Sequence, residues 1–133
     1  VKVIPNKPLP FKNNSFDVVV SWATIEHVGD YKKQEFFLNE LLRVGKNIFV
    51  TTPDRLCPYE PHTSFLFLHW LPLKSFRKLC LLFHLPFSAS VNNLNPLSSY
   101  DITKFKLIKP IKVRQNFMFN LFPGHLIITH KEK

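Results

Sequence analysis

The run Phe16-Asp17-Val18-Val19-Val20 constrains the fold more than any other stretch of the chain. It is almost free of polar residues and dense in β-branched ones, so it reads as a strand. A continuous apolar run, in place of strict alternation, is the pattern of a strand with helices covering both faces of a parallel sheet. Upstream, Leu9-Pro10-Phe11 is turn-like, because Pro10 fixes its own φ and biases Leu9 toward an extended form. Lys12, Asn13 and Asn14 are polar turn formers. Downstream the strand gives out at Ser21-Trp22-Ala23, and Glu26-His27 follow within one turn of chain. Ligands of open α/β sheets sit outside the carboxyl ends of the strands. These polar residues therefore arrive where a pocket is expected.

Gly29-Asp30 ends one element and starts another, with Asp30 as a helix N-cap. From Tyr31 to Val44 the residues Phe37, Leu38, Leu41, Leu42 and Val44 recur at helical spacing, and Gly45 closes the helix. Asn47 to Thr52 reads as a second buried strand, ended by Pro53. A Pro-rich loop follows, carrying Glu60, His62 and Thr63. Phe65 to Leu73 is apolar except for His69. Leu73 to His84 has helical character, with a basic turn at Lys74, Arg77 and Lys78. Ser88 to Ser99 reads as a polar loop, and Ser99-Tyr100-Asp101-Ile102 as a short capped helix. Lys106 to Lys131 holds two extended segments, with Phe122-Pro123-Gly124 as the hairpin connection.

A chain of 133 residues with 45% hydrophobic content fits one domain with a sizeable core. The net charge of +9 permits contact with nucleic acid, an anionic membrane surface or an acidic substrate. Its Lys and Arg are scattered, as on a solvated basic surface, and the lack of a basic cluster or recognisable motif argues against nucleic acid. Cys57 and Cys80 lack CxxC spacing and read as free thiols of a reducing compartment, which points to the cytoplasm. The N-terminal residues do not have the pattern of a signal peptide. No stretch reaches the roughly 18 apolar residues that span a bilayer.

Leu-Pro-Phe at 9–11, three polar residues, Ser15-Phe16-Asp17, three aliphatics, Ser21 and Glu26-His27-Val28 together resemble the class I S-adenosylmethionine-dependent methyltransferases, and within them the "type 11" group. Glu40-Leu41-Leu42-Arg43-Val44 and Ile48 to Pro53 resemble the next helix and strand of that family. The resemblance implies an α/β fold: a partial Rossmann-like methyltransferase sheet, mostly parallel with an antiparallel C-terminal strand, and helices on both faces. It also implies a single domain over residues 1–133, with 54–99 as a substrate-cover insertion. S-adenosylmethionine is the implied cofactor, and methyl transfer to a small-molecule acceptor the implied activity. The family's glycine-rich donor loop is not found here, since the three glycines (Gly29, Gly45 and Gly124) do not cluster. With Val1 falling inside an apparent strand, the expectation is the C-terminal part of a longer enzyme. Such a part would expose apolar sheet edge and associate, with the missing half or with its own copies. The alternative is a non-catalytic methyltransferase-like interaction subunit.

By family position Ser21, Trp22 and Ala23 border the cofactor. An aromatic face beside a sulfonium cation is favourable by about 0.5–2 kcal/mol, although Trp22 also fits as an aromatic capping the sheet. His27 is the catalytic candidate, able to deprotonate or bind an acceptor hydroxyl. The plainer reading is that Glu26 and His27 organise their loop. For substrate binding the candidates are Glu26, Arg55, His62 and Trp70, with His69 beside them. Arg55 suits a carboxylate or phosphate, or a surface ion pair with Asp54. Glu60, His62 and His69 are metal-ligand types without the spacing of a metal site, so no metal is expected. Phe65 to Leu73 and Leu79 to Phe87 read as the substrate cover, as core, or, with Lys74, Arg77 and Lys78, as a surface resting on a membrane.

Overall fold

The first strand, β1 (Phe16–Trp22), runs two residues past the apolar stretch that announces it. The computed structural model describes residues 7–118 and 121–132. After β1 come a 3-10 turn at Ile25–His27, α1 (Tyr31–Val44) and β2 (Gly45–Pro53). Asp30 caps α1 by accepting a hydrogen bond from the Lys33 amide at 3.0 Å. At the other end the helix passes straight into β2 at Gly45. A Cβ there would lie 2.8 Å from a methyl of Val19, so only glycine lets helix and strand meet this closely.

β1 and β2 pair in parallel, the β–α–β crossover that parallel strands require. The sheet continues with β6 (Phe122–His130) and ends with β5 (Lys112–Met118), giving the order β1-β2-β6-β5. β6 is antiparallel to both neighbours, so three strands run one way and one runs against them. The expected α/β class is therefore present, and the reversed strand sits one place in from the edge. Phe122, Pro123 and Gly124 lie inside β6, which corrects the expected hairpin connection at these three residues. A register irregularity between Asn116 and Phe117 places Phe117 opposite Pro123, and such irregularities tolerate a proline.

One face of the sheet carries the core. Ile48, Val50, Leu126 and Ile128 pack there with Leu38, Leu41 and Leu42 of α1, with Ile25, and with Ile102 of α4 (Ser99–Thr103). Full burial of each such side chain contributes about 1.5–3 kcal/mol. The other face of β1 differs. Phe16, Val18, Val20 and Trp22 are 39%, 58%, 61% and 74% exposed, and no helix among the described residues covers them. Helices on both faces were expected, and the described helices cover one. Among the described residues β1 also pairs on one side only.

The Leu9-Pro10-Phe11 turn is tied to α1. Glu40 accepts from the Leu9 amide at 2.7 Å, while Arg43 donates to the carbonyls of Leu9 and Phe11 and to Glu40. Two motifs thirty residues apart in sequence thus form one hydrogen-bonded unit. It fixes where β1 begins, and the Arg43 guanidinium holds the Glu40 carboxyl below its ordinary value.

Residues 54–99 lie over the carboxyl ends of β1 and β2. They hold the short pair β3 (Tyr59–Glu60) and β4 (Phe65–Leu66), a 3-10 turn at Leu68–Trp70, α2 (Leu73–Leu82) and α3 (Pro86–Ala89). Phe76, Cys80 and Leu94 form a second, smaller core. The stretch expected as a polar loop, Ser88 to Ser99, buries Leu94, Asn95 and Leu97 instead. Ser98 and Asp101 form a reciprocal capping box at α4. Both cysteines are free and buried. No helix among the described residues is long and apolar enough to cross a membrane.

Candidate functional site

At the carboxyl end of β1 the chain turns sharply. Ala23 adopts a left-handed conformation (φ 44°), and its amide donates to the Thr51 carbonyl at 2.9 Å. Neighbouring residues of a strand point to opposite faces. Ser21 is therefore buried on the helix-covered face, with no hydrogen-bond partner for its hydroxyl. Trp22 points to the open face, with its ring free. The rim presents an exposed aromatic ring on the open face and a bent backbone, with the unpartnered Ser21 hydroxyl buried on the other face.

Next along the chain, Glu26 is buried with 2% exposure. One of its oxygens accepts from Thr52 Oγ1 at 2.8 Å, and Oε1 has no hydrogen-bond partner. His27 Nδ1 lies 2.6 Å from the Asn93 carbonyl. Since a carbonyl only accepts, Nδ1 carries the proton and the neutral ring keeps its lone pair on Nε2. That nitrogen is 3.1 Å from Nε2 of His62 and 3.9 Å from Glu26 Oε1. His62 in turn holds Glu60 through Nδ1 at 2.6 Å.

The loop after β2 thus brings Glu60 and His62 back onto the end of β1. Burial would raise the Glu60 carboxyl, but its hydrogen bond and charge pairing with His62, together with the Thr63 amide, hold it below 4.5. The same bond to Glu60 raises His62 above 6.5, against the opposing effect of burial.

Other expected site residues are occupied in holding the 54–99 segment together. Arg55 donates to the carbonyls of His69 and Leu71 at 3.1 and 2.9 Å, which ties the exit of β2 to the 3-10 turn. Asp54, its sequence neighbour, accepts from Gln115 and from the Leu56 amide, so the two do not pair with each other. His69 is buried, donates through Nε2 to the Cys57 carbonyl at 2.5 Å, and is pushed down by burial toward the neutral form. Trp70 Nε1 donates to the same carbonyl at 3.2 Å, while its ring is half exposed against Phe67. Of the expected residues, Glu26, His27 and His62 come together; Arg55, His69 and Trp70 form a separate group that shapes the cover.

Several contributors escaped the sequence reading. Asn93 supplies the carbonyl that orients His27, and Thr52 holds Glu26. Asn95 donates its backbone amide to the Glu26 carbonyl at 2.8 Å; its side-chain Nδ2 donates to Oε1 of buried Gln34, and its own carbonyl accepts from Gln34 Nε2. The Glu-His pair at 26–27 and the Glu-x-His at 60–62 were each visible. The pattern could not show that His27 and His62, 35 positions apart, return to one another. A cleft lined by Ile102, Phe105, Ile108 and Val113 lies at the β5 end of the sheet, apart from all of these groups.

Residues 4–48 match the family described as "Methyltransferase domain". That match takes in the Leu9-Pro10-Phe11 turn, β1, the Glu26-His27 pair, α1 and the first residues of β2. A search of curated proteins finds no match. Among solved structures the chain is similar to a SAM-dependent methyltransferase from Methanosarcina mazei, at 18% identity and a TM-score of 0.47 over 93% of this chain. The chain spans 63% of the length of that protein.

Proposed function

We propose that this chain, whose residues 4–48 match the family described as "Methyltransferase domain", is of the class I S-adenosylmethionine-dependent methyltransferase kind and forms one wall of a methyl-transfer site for a small-molecule acceptor. The observation that carries this reading is the Glu26–His27–His62 cluster, held by long-range bonds at the same strand ends as the exposed Trp22 ring. The residues present fit the donor in part. Trp22 offers a free aromatic face to a sulfonium and Ala23 a backbone bend at the rim, whereas the Ser21 hydroxyl is buried on the opposite face of the sheet. No cluster of glycines adds a phosphate-type or ribose cradle, so these residues make one side of a donor site.

S-adenosylmethionine supplies, when bound, a methyl group already activated for transfer. The work left to the chain is positioning and the exclusion of water. His27, fixed through Nδ1 by Asn93, presents Nε2 as the atom that takes a proton from an acceptor hydroxyl or hydrogen-bonds it. His62 and Glu60 hold the receiving ring in place, and Glu26 Oε1 lies 3.9 Å from Nε2. Residues 54–99 act as the substrate cover, shaped by Arg55 on the His69 and Leu71 carbonyls and by Trp70 on the Cys57 carbonyl. The free thiols of Cys57 and Cys80 suit the cytoplasm. Leu81, Leu82, Phe83 and Phe87, exposed near Lys74 and Lys78, suit peripheral contact with a membrane that holds the acceptor.

The test is transfer of a labelled methyl group from S-adenosylmethionine to a panel of small hydroxyl compounds. The expected result is a labelled product, with kcat lowered in His27→Ala and the KM for the donor little changed. Transfer at an unchanged rate in His27→Ala would remove the histidine from this role.

A second reading rests on the open face of β1. Its exposed apolar row and one-sided pairing suit burial against further polypeptide, whether the rest of a longer enzyme, a second copy, or a partner enzyme that this chain completes without catalysing. Donor binding with no acceptor in a broad panel would favour it.

A further inference from the structure

We propose that Glu26 Oε1, His27 Nε2 and His62 Nε2 form a binding site for a divalent first-row transition cation of the Zn2+ type. The three ligand atoms lie within 4.8 Å of one another. Their hydrogen bonds fix which atoms are free. His27 Nδ1 must donate to the Asn93 carbonyl, and His62 Nδ1 to the Glu60 carboxylate, so in both neutral rings the lone pair is on Nε2. These two lone pairs face each other at 3.1 Å. Such a contact between two neutral rings is repulsive, and either a proton on one Nε2 or a metal cation between the two relieves it. Two imidazoles bound tetrahedrally at about 2.0–2.1 Å from Zn2+ stand roughly 3.3 Å apart, close to the separation seen.

The carboxylate is an independent indication. Glu26 is almost fully buried, with one oxygen on Thr52 and the other unpartnered and aimed toward the ring nitrogens. A buried carboxylate oxygen without a partner is costly, and a bound cation would satisfy it. Two imidazoles and one carboxylate are a donor set for Zn2+ or its first-row neighbours rather than for Mg2+ or Ca2+. Each histidine is also oriented through its other nitrogen, by a carbonyl in one case and a carboxylate in the other, as metal-bound histidines are. Three protein ligands leave a fourth position, and the partial exposure of both histidines opens it to solvent or to an acceptor oxygen.

Cation binding stands whether or not the methyl-transfer reading holds. If that reading does hold, the ion takes over from His27 the lowering of the acceptor's proton affinity.

The test uses the chelator-treated chain, titrated with Zn2+ by calorimetry and with Co2+ by visible absorption. Expected are one ion per chain and the intense absorption of four- or five-coordinate Co2+. His62→Ala should abolish specific uptake. Glu60→Gln, which keeps the shape of the loop, should weaken uptake about 10–100-fold. His125→Ala, on the exposed side of β6, should leave uptake unchanged, and circular dichroism checks that each variant is folded. A folded native chain that takes up no ion more tightly than the His62→Ala variant would overturn the proposal and leave the cluster holding a shared proton. Uptake that survives His62→Ala would put the ion elsewhere, on the thiols of Cys57 or Cys80 for instance, and would overturn it equally.

Discussion

The sheet half of the molecule and the cover over residues 54–99 are built by different means. In the sheet half, local patterns make the elements and apolar side chains join them, with Leu38, Leu42, Val50 and Ile128 fully buried against one another. In the cover a small apolar cluster of Phe76, Cys80 and Leu94 is supplemented by polar ties of long reach. Arg77 donates to the carbonyls of Ala89 and Leu94 and to the Asn95 side chain. Asn95 and Gln34 bond reciprocally across 61 residues, and His27 reaches Asn93 across 66. Apolar burial tolerates small displacements, whereas a buried polar tie is worth having only when its geometry is met. The candidate site lies on the seam, with Glu26 and His27 supplied by the sheet half and Glu60 and His62 by the cover.

The contrast can be broken most forcibly in the sheet core. Leu42→Ala should cost about 2–5 kcal/mol and lower the protection of sheet and cover amides together in hydrogen exchange. Loss of cover protection alone would mean that the sheet does not carry the cover.

A smaller effect is expected on the seam. Asn95→Ala leaves Gln34 and Arg77 short of a partner and should cost about 1–3 kcal/mol. It should also loosen residues 90–97 and the ring of His27 while β1 and β2 stay protected, as an NMR exchange series would show.

Asp30→Ala removes the cap of α1 and should cost about 0.5–2 kcal/mol. Thermal melting should register it without any change at the histidines.

The pH dependence belongs to the cover. His62 is raised above 6.5 in the folded chain, so its contribution is complete below 6.5 and is lost as pH rises through the raised value. Glu60 is lowered below 4.5, so its contribution is complete above 4.5 and is lost as pH falls through the lowered value. With chelator present, the 60–63 loop should therefore be best protected between 4.5 and 6.5 and should open more readily at alkaline pH. A loop equally protected throughout would show the pair to be inert.

The same contrast governs what could be read from the sequence. β1, α1 and β2 were legible because each is dictated by its own residues: the valine run, the helical recurrence from Phe37 to Val44, Asp30 before the helix and Gly45 after it. The short helix at Ser99 was legible through its serine cap. Phe122 to Gly124 misled because proline and glycine ordinarily punctuate, while here an irregular register absorbs them inside a strand. Ser88 to Ser99 misled because Ser88 and Asn95 are buried, and Asn95 and the Asn93 carbonyl serve as ties, in a stretch that also buries Leu94 and Leu97. The site was half legible. Its residue types stood out, but their convergence depends on Asn93 and Thr52, whose part is invisible until the chain folds.

Trp22 offers the most direct measurement, because the chain holds only two tryptophans. In a Trp70→Phe background, the fluorescence of Trp22 should be quenched saturably by S-adenosylmethionine or its demethylated product. Calorimetry should give a matching affinity, weakened in Trp22→Ala. Donor binding that leaves Trp22 emission untouched and survives Trp22→Ala would contradict the placement of the methyl-donor wall at the end of β1.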